Sequence, residues 1–226
     1  MLQGKDILTQ IQLKALAILS MLTDQENFYL TGGTALSGFY LGHRVSYDLD
    51  FFTTEEALVA PFSRQVESVF QKNGWNVQVI RRFHTYVEML LGQREDEVRL
   101  DLAFDTPFRF APPEISGYGV YVNDFHDLRA EKVLAYYGRA EPRDGVDLYF
   151  LLYETAITEL ISAAGQKDSG FDRYWFAIAL NKSLEFPNEL ERWPVKMLKS
   201  FDPKDLKSRF KALALQLMEE ITGGSK

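Results

Sequence analysis

The sequence predicts an α+β fold, an α/β half over residues 1–123 followed by an all-helical half over residues 124–226. Three observations predict it. Short runs that alternate or stay apolar, as strands do, occur at 28–31, 48–53, 75–81, 85–91, 97–104 and 118–122. Helical patterns interleave with these runs. After Asn123-Asp124 the apolar spacing becomes helical and stays so to the end of the chain.

Taken in order, residues 5–22 place Ile7, Leu8, Ile11, Ala15, Ile18, Leu19 and Leu22 at helical spacing. Residues 28–31 run as a short strand into the Gly32-Gly33 turn, and 34–41 suit a helix. Residues 48–53 read as a strand and 55–73 as a helix stopped by Asn73-Gly74. Three strands follow, the last two joined by a hairpin loop over 92–96. A Pro-rich connection, 106–117, leads to one more strand at 118–122. The helices expected beyond are 127–138, 145–164, 171–183, 193–200 and 203–222.

Bulk properties narrow the class. The chain is 46% hydrophobic and 25% charged, as ordinary soluble domains are. It has no run of 18 apolar residues, so no membrane-spanning helix is expected. The N-terminal stretch reads as an amphipathic helix rather than a signal peptide. With no cysteine, disulfides and thiolate metal sites are excluded, which fits a cytoplasmic protein. A net charge of −7 argues against indiscriminate nucleic-acid binding. Residues 192–211 depart locally, with seven basic side chains against Asp202 and Asp205. That segment reads either as a solvated helix face or as a surface tracking nucleic-acid phosphates.

Residues 31–52, TGGTALSGFYLGHRVSYDLDFF, carry the most chemistry. Asp48 and Asp50 flank Leu49, so on a strand both carboxylates point one way and Leu49 points into the core. Paired carboxylates are hard oxygen donors suited to Mg²⁺, which binds through one or two of them plus substrate phosphates. Gly32 and Gly33 let the backbone approach a phosphate, and with Thr34 could offer N–H groups and a hydroxyl to a triphosphate at a helix start. Arg44 and Ser46 lie between this turn and the carboxylates. The combination suggests metal-dependent nucleotidyl transfer; the plainer alternatives are a solvated strand end and an ordinary tight turn. On the strand 97–104, Glu97, Arg99, Asp101, Ala103 and Asp105 share one face. Asp101, preferred over Asp105, becomes a third carboxylate if this strand lies beside the Asp48/Asp50 strand. In the helical half, Lys132 and Arg139 share a helix face, and Asp144 and Asp147 follow. Alone they read as a charged amphipathic pair. The histidines show no metal spacing, and neither a G-x-S-x-G elbow nor a Walker A lysine motif occurs.

The Gly-Gly, Thr34-Ala-Leu and Arg44-x-Ser46-x-Asp48-Leu-Asp50-Phe-Phe block resembles the signature of the AbiEii/AbiGii nucleotidyltransferase toxin family, within the DNA polymerase β-type superfamily. Arg99-Leu-Asp101-Leu resembles its third-carboxylate strand. Ala130-Glu-Lys132-Val-Leu-Ala-x-x-x-Arg139 with Arg143-Asp144-x-x-Asp147-Leu resembles its helical motif. Gly145-Val146 depart from the bulkier residues usual there. The resemblance implies a small mixed sheet with flanking helices and a helical domain closing the active-site cleft. It implies that Asp48, Asp50 and Asp101 hold Mg²⁺, that Gly33 and Thr34 contact the triphosphate, that Lys132 neutralises its charge, and that Asp144 orients Lys132. It implies transfer of NMP from an NTP to an acceptor, tRNA or protein, by the toxin of a toxin–antitoxin or phage-defence system with a cognate antitoxin. A small-molecule nucleotidyltransferase and a silent nucleotide-binding module remain the alternatives.

Overall fold

The computed structural model describes residues 1–223. The chain divides into two compact units, Met1–Phe125 and His126–Lys226.

The first unit opens with α1 (Gln10–Leu19). The helix starts later than its apolar spacing suggests. Asp6 takes a left-handed φ of 56°, and Thr9 then sets the start as N-cap of a capping box with Gln12. β1 (Tyr29–Thr31) runs into α2 (Gly32–Ala35), which continues as a π-helical turn over Leu36–Leu41. β2 (Arg44–Val45) and β3 (Leu49–Thr53) follow, then α3 (Glu56–Lys72). β4 (Asn76–Arg82), β5 (Tyr86–Gln93) and β6 (Asp96–Phe104) form an antiparallel meander. The Pro-rich connection holds a strand absent from the sequence reading, β7 (Glu114–Ile115), paired with β8 (Tyr121–Val122). Two residues carry too little pattern to announce a strand.

The seven-stranded sheet has the order β4-β5-β6-β3-β1-β8-β7. It is mixed: β3 is parallel to β6 and β1 to β8, while β1 and β3 are antiparallel. One face is apolar and covered by α1 and α3. Leu49, Phe51, Val87, Met89, Leu100 and Leu102 are buried there, and Phe62 of α3 stacks on Phe28 at 4.1 Å. The period of two puts the polar set on the other face.

The second unit is helical: α4 (Phe125–Arg139, from His126 on), α5 (Pro142–Glu154), α6 (Ile157–Lys167), α7 (Arg173–Lys182) and α8 (Pro203–Gly223). α8 packs on α7 and α5, and Phe210 meets Tyr136 edge-on at 5.3 Å. Two expected helices differ. The span 145–164 is broken at extended Thr155, whose hydroxyl accepts from Arg129 Nη1 at 2.7 Å. The span 193–200 is not helical. Pro194 holds Trp193 in extended backbone, and the Trp193 indole is buried with its N–H donating to the Pro187 carbonyl.

Candidate active site

Register brings the first unit's site together. Asp50 on β3 lies directly opposite Asp101 on the parallel strand β6. Residues paired in register across a sheet share a face, so both carboxylates stand on the face opposite Leu49 and Leu100. Leu49 is buried, whereas Asp48 and Asp50 are half-buried. Asp105, the competing acid, is spent elsewhere: it accepts a hydrogen bond from the Tyr29 hydroxyl at 2.7 Å.

The loop that carries Asp48 is pinned twice. Thr34 Oγ1 donates to the Asp48 carbonyl, and the buried Gln12 amide donates to the carbonyls of Ser46 and Tyr47 at 2.9 and 3.1 Å. Thr34 is fully buried. Its hydroxyl, expected to meet a triphosphate, instead fixes the carboxylate loop, leaving its backbone N–H in the first turn of the helix as the group that can face an anion. Gln12 carried no signal beyond its capping position.

The glycines are explained by what approaches them. Gly32 has φ +67°, and a Cβ there would stand 2.2 Å from Asp50 Oδ2. A Cβ on Gly33 would stand 2.7 Å from both an Arg44 guanidinium nitrogen and Ser46 Oγ. Hence Asp50 closes on Gly32, and Arg44 and Ser46 close on the next residue, Gly33, of the same turn. Arg44 is buried, and its guanidinium also donates to the Val45 carbonyl at 3.1 Å. A buried guanidinium, a hydroxyl and first-turn N–H groups next to carboxylates suit a phosphate beside a divalent cation.

Asp101 is held by Arg99, two residues away on the same face. Arg99 Nε and Nη2 donate to its two oxygens at 3.1 and 3.0 Å. Burial pushes Asp101 above the ordinary carboxylate range, and Arg99 only partly reverses this. In turn the hydrogen bonds to Asp101 hold the Arg99 guanidinium protonated. The next strand adds a side chain the sequence did not single out. Glu88 on β5 lies opposite Asp101 and pairs with Arg99 Nη2 at 3.4 Å and Arg81 Nε at 3.3 Å. Among the described residues no three His, Cys, Asp or Glu side chains form a ready-made metal cage. The donor set still fits Mg²⁺, which takes one or two carboxylates and completes its shell from phosphates and water. The missing Cβ at Gly32 lets the Asp50 carboxylate lie against the turn, which sets an oxygen donor beside the backbone N–H groups suited to a phosphate.

The second unit holds the remaining candidates. Lys132 Nζ lies 2.9 Å from Asp147 Oδ2, with side chains 7% and 0% exposed. Asp144 accepts from Arg139 Nε at 2.5 Å and Nη2 at 2.8 Å. This corrects the expected pairing: Asp147, not Asp144, holds Lys132, and Asp144 anchors Arg139. Of the seven basic residues in 192–211, three have partners within this unit. Lys207 donates to the Phe186 carbonyl, Arg209 donates to the Leu152 carbonyl and lies over the Tyr153 ring, and Arg192 pairs with Glu189 at 3.6 Å. Lys196, Lys199, Lys204 and Lys211 are exposed.

The chain is similar over 96% of its length to JHP933 from Helicobacter pylori, of which 96% is covered, with a TM-score of 0.59 at 16% identity. It is similar to MenT4, a nucleotidyltransferase toxin of Mycobacterium tuberculosis, over 92% of this chain and 82% of that one, with a TM-score of 0.59 at 18% identity. At such identities the likeness is one of fold. An uncharacterised Aquifex aeolicus protein, aq_aa25, is 29% identical over 128 residues, 56% of this chain and 58% of that protein's length. The family model "Nucleotidyl transferase AbiEii toxin, Type IV TA system" matches residues 14–222. A chain matched over that span, with a phosphate-suited turn set against paired carboxylates on a mixed sheet, belongs to the AbiEii nucleotidyltransferase toxin family of type IV toxin–antitoxin systems.

Proposed function

We propose that this chain transfers a nucleoside monophosphate from an NTP to tRNA or protein, with Mg²⁺ as cofactor, and acts as a toxin held in check by a cognate antitoxin. The observation that carries the reading is the register of Asp50 against Asp101 beside the Gly32-Gly33 turn. Asp48, Asp50 and Asp101 are the residues that would hold Mg²⁺, which when bound supplies positive charge to the phosphate oxygens. First-turn N–H groups of Gly33 and Thr34, with the Arg44 guanidinium and the Ser46 hydroxyl, orient the triphosphate. The acceptor oxygen attacks the α-phosphorus, the bond to the bridging oxygen breaks, and pyrophosphate leaves with that electron pair. The hydroxyl proton passes to a carboxylate oxygen of Asp101, whose burial makes it a better base than an exposed aspartate. Lys132 of the helical unit, held by Asp147, is assigned to the phosphates as a point charge. No described helix is long and apolar enough to cross a membrane, in keeping with a toxin that meets its acceptor in the cytoplasm. Four exposed lysines in 196–211 favour an RNA acceptor, since they can follow its phosphates.

The test is incubation with labelled NTPs, Mg²⁺ and tRNA, with Asp48→Ala as control. Label should enter tRNA and vanish in the variant. Transfer persisting unchanged in the variant removes Asp48 from the site, and label entering only protein moves the acceptor to that class.

A further inference from the structure

One cross-strand row contains Asp50 on β3, Asp101 on β6, Glu88 on β5 and Arg81 on β4. Arg99 stands beside this row and occupies both oxygens of Asp101. Two facts conflict. A cation and an acceptor proton need Asp101 oxygens, yet a bidentate arginine covers them. An arginine tied only to Asp101 would have to give up two charge-assisted bonds to solvent, which is costly. Here it has somewhere to go. Arg99 Nη2 is 3.0 Å from Asp101 Oδ2 and 3.4 Å from Glu88 Oε1, so a small shift of the guanidinium exchanges one carboxylate for the other. Glu88 is ready to receive it: its side chain is 13% exposed and already fixed by Arg81. The Tyr86 hydroxyl, 3.4 Å from Arg99 Nη2, accepts from the guanidinium on the same side.

We propose that Glu88 and Arg99 are positioning residues for the third carboxylate: Arg99 holds Asp101 before a cation arrives and passes to Glu88 as Asp101 turns to its ligand. Glu88 thereby sets how readily Asp101 is released, without touching the cation or the substrate. The inference rests on the nucleotidyl-transfer reading only through the assignment of Asp50 and Asp101 as cation ligands.

The experiment titrates the full chain with Mn²⁺ alone and follows free Mn²⁺ by electron paramagnetic resonance, so that no turnover is needed. Glu88→Gln removes the receiving charge and should weaken Mn²⁺ binding about tenfold, the coupling usual for contacting charges. Arg99→Gln removes the competitor and should tighten binding by about the same factor, while kcat falls because Asp101 loses its orientation. In the double variant the Glu88 effect should disappear, since Glu88 acts through Arg99. Thermal unfolding of each variant checks that the fold persists, and Arg99→Lys, which keeps the charge but loses the fork, should lie between wild type and Arg99→Gln. Unchanged Mn²⁺ affinity in both single variants overturns the proposal. So does a Glu88→Gln defect that survives in the double variant, because Glu88 would then be a ligand itself. Failure of the wild type to bind Mn²⁺, or binding unaffected by Asp50→Asn, overturns instead the reading of the site on which the proposal rests.

Discussion

The two units use the same residue types in opposite ways. In the first, Asp48 and Asp50 are half-buried, set by strand register and by a hydrogen bond to the Asp48 backbone, and the more enclosed Asp101 is paired with a half-exposed Arg99. In the second, Asp127, Asp144 and Asp147 are buried, each against a named base: Lys167 at 2.6 Å, Arg139 at 2.5 Å and Lys132 at 2.9 Å. Asp48 and Asp50, proposed to take a ligand, are oriented from behind and left partly exposed. Those that fix the helical unit are enclosed and paired. Sequence alone lists both as aspartates.

The comparison can be broken at several points. Asp147→Asn leaves the Lys132 ammonium enclosed without its counter-charge, and denaturant unfolding should show a loss of about 3–5 kcal/mol. A loss no larger than an exposed pair gives would abolish the distinction between the units. Asp50→Asn should do the reverse, lowering transfer by ~10²–10³-fold, as removal of a group acting on transition-state charge does. Its unfolding free energy should stay within about 0.5 kcal/mol of wild type, because the side chain is only half-buried.

Gly32→Ala sharpens the contrast from the backbone side. A side chain at φ +67° costs about 1–2 kcal/mol, and its Cβ also displaces the Asp50 carboxylate. Activity should therefore fall further than stability, read by comparing kcat with the unfolding midpoint. A smaller effect comes from pH. Burial alone would push the Lys167 ammonium's pKa down, but Glu131 and Asp127 more than reverse this, raising it above its usual 10.5. The stability from that cluster is fully present below pH 10.5 and is lost as pH rises through the raised value. Thermal unfolding at rising pH should show this loss in wild type and not in Lys167→Met. The smallest effect belongs to Arg143→Gln, which breaks an exposed pair with Glu141 at 3.1 Å and should change stability by less than about 1 kcal/mol.

Much of this was legible in the sequence because it is local. Asp-Leu-Asp alternates faces wherever it forms a strand, and the Gly-Gly turn announces a close approach. A change of period puts a seam near residue 124, and the two compact units divide after Phe125. What escaped depends on partners far along the chain. Glu88 is an ordinary strand acid until the register of β5 against β6 sets it opposite Asp101. The choice between Asp144 and Asp147 as the partner of Lys132 is made by how α4 and α5 pack, and one turn of helix separates the two answers. Thr34 illustrates a third limit. A hydroxyl next to a glycine turn suits a phosphate and suits a neighbouring carbonyl equally, and burial decides for the carbonyl.

The parallel pairing of β3 with β6 also has a consequence during synthesis. Asp50 is made early, in a hairpin-like pairing of β1 with β3, but Asp101 reaches its side only after α3, β4 and β5 have emerged and β6 has slotted between β5 and β3. Chains grow from the N-terminus and their parts fold as they appear. A nascent chain that stops short of β6 carries Asp50 and Glu88 of the carboxylate row but not Asp101, and none of the helical unit. On the proposed assignment of Asp101, such an unfinished chain on the ribosome still lacks the site's third carboxylate.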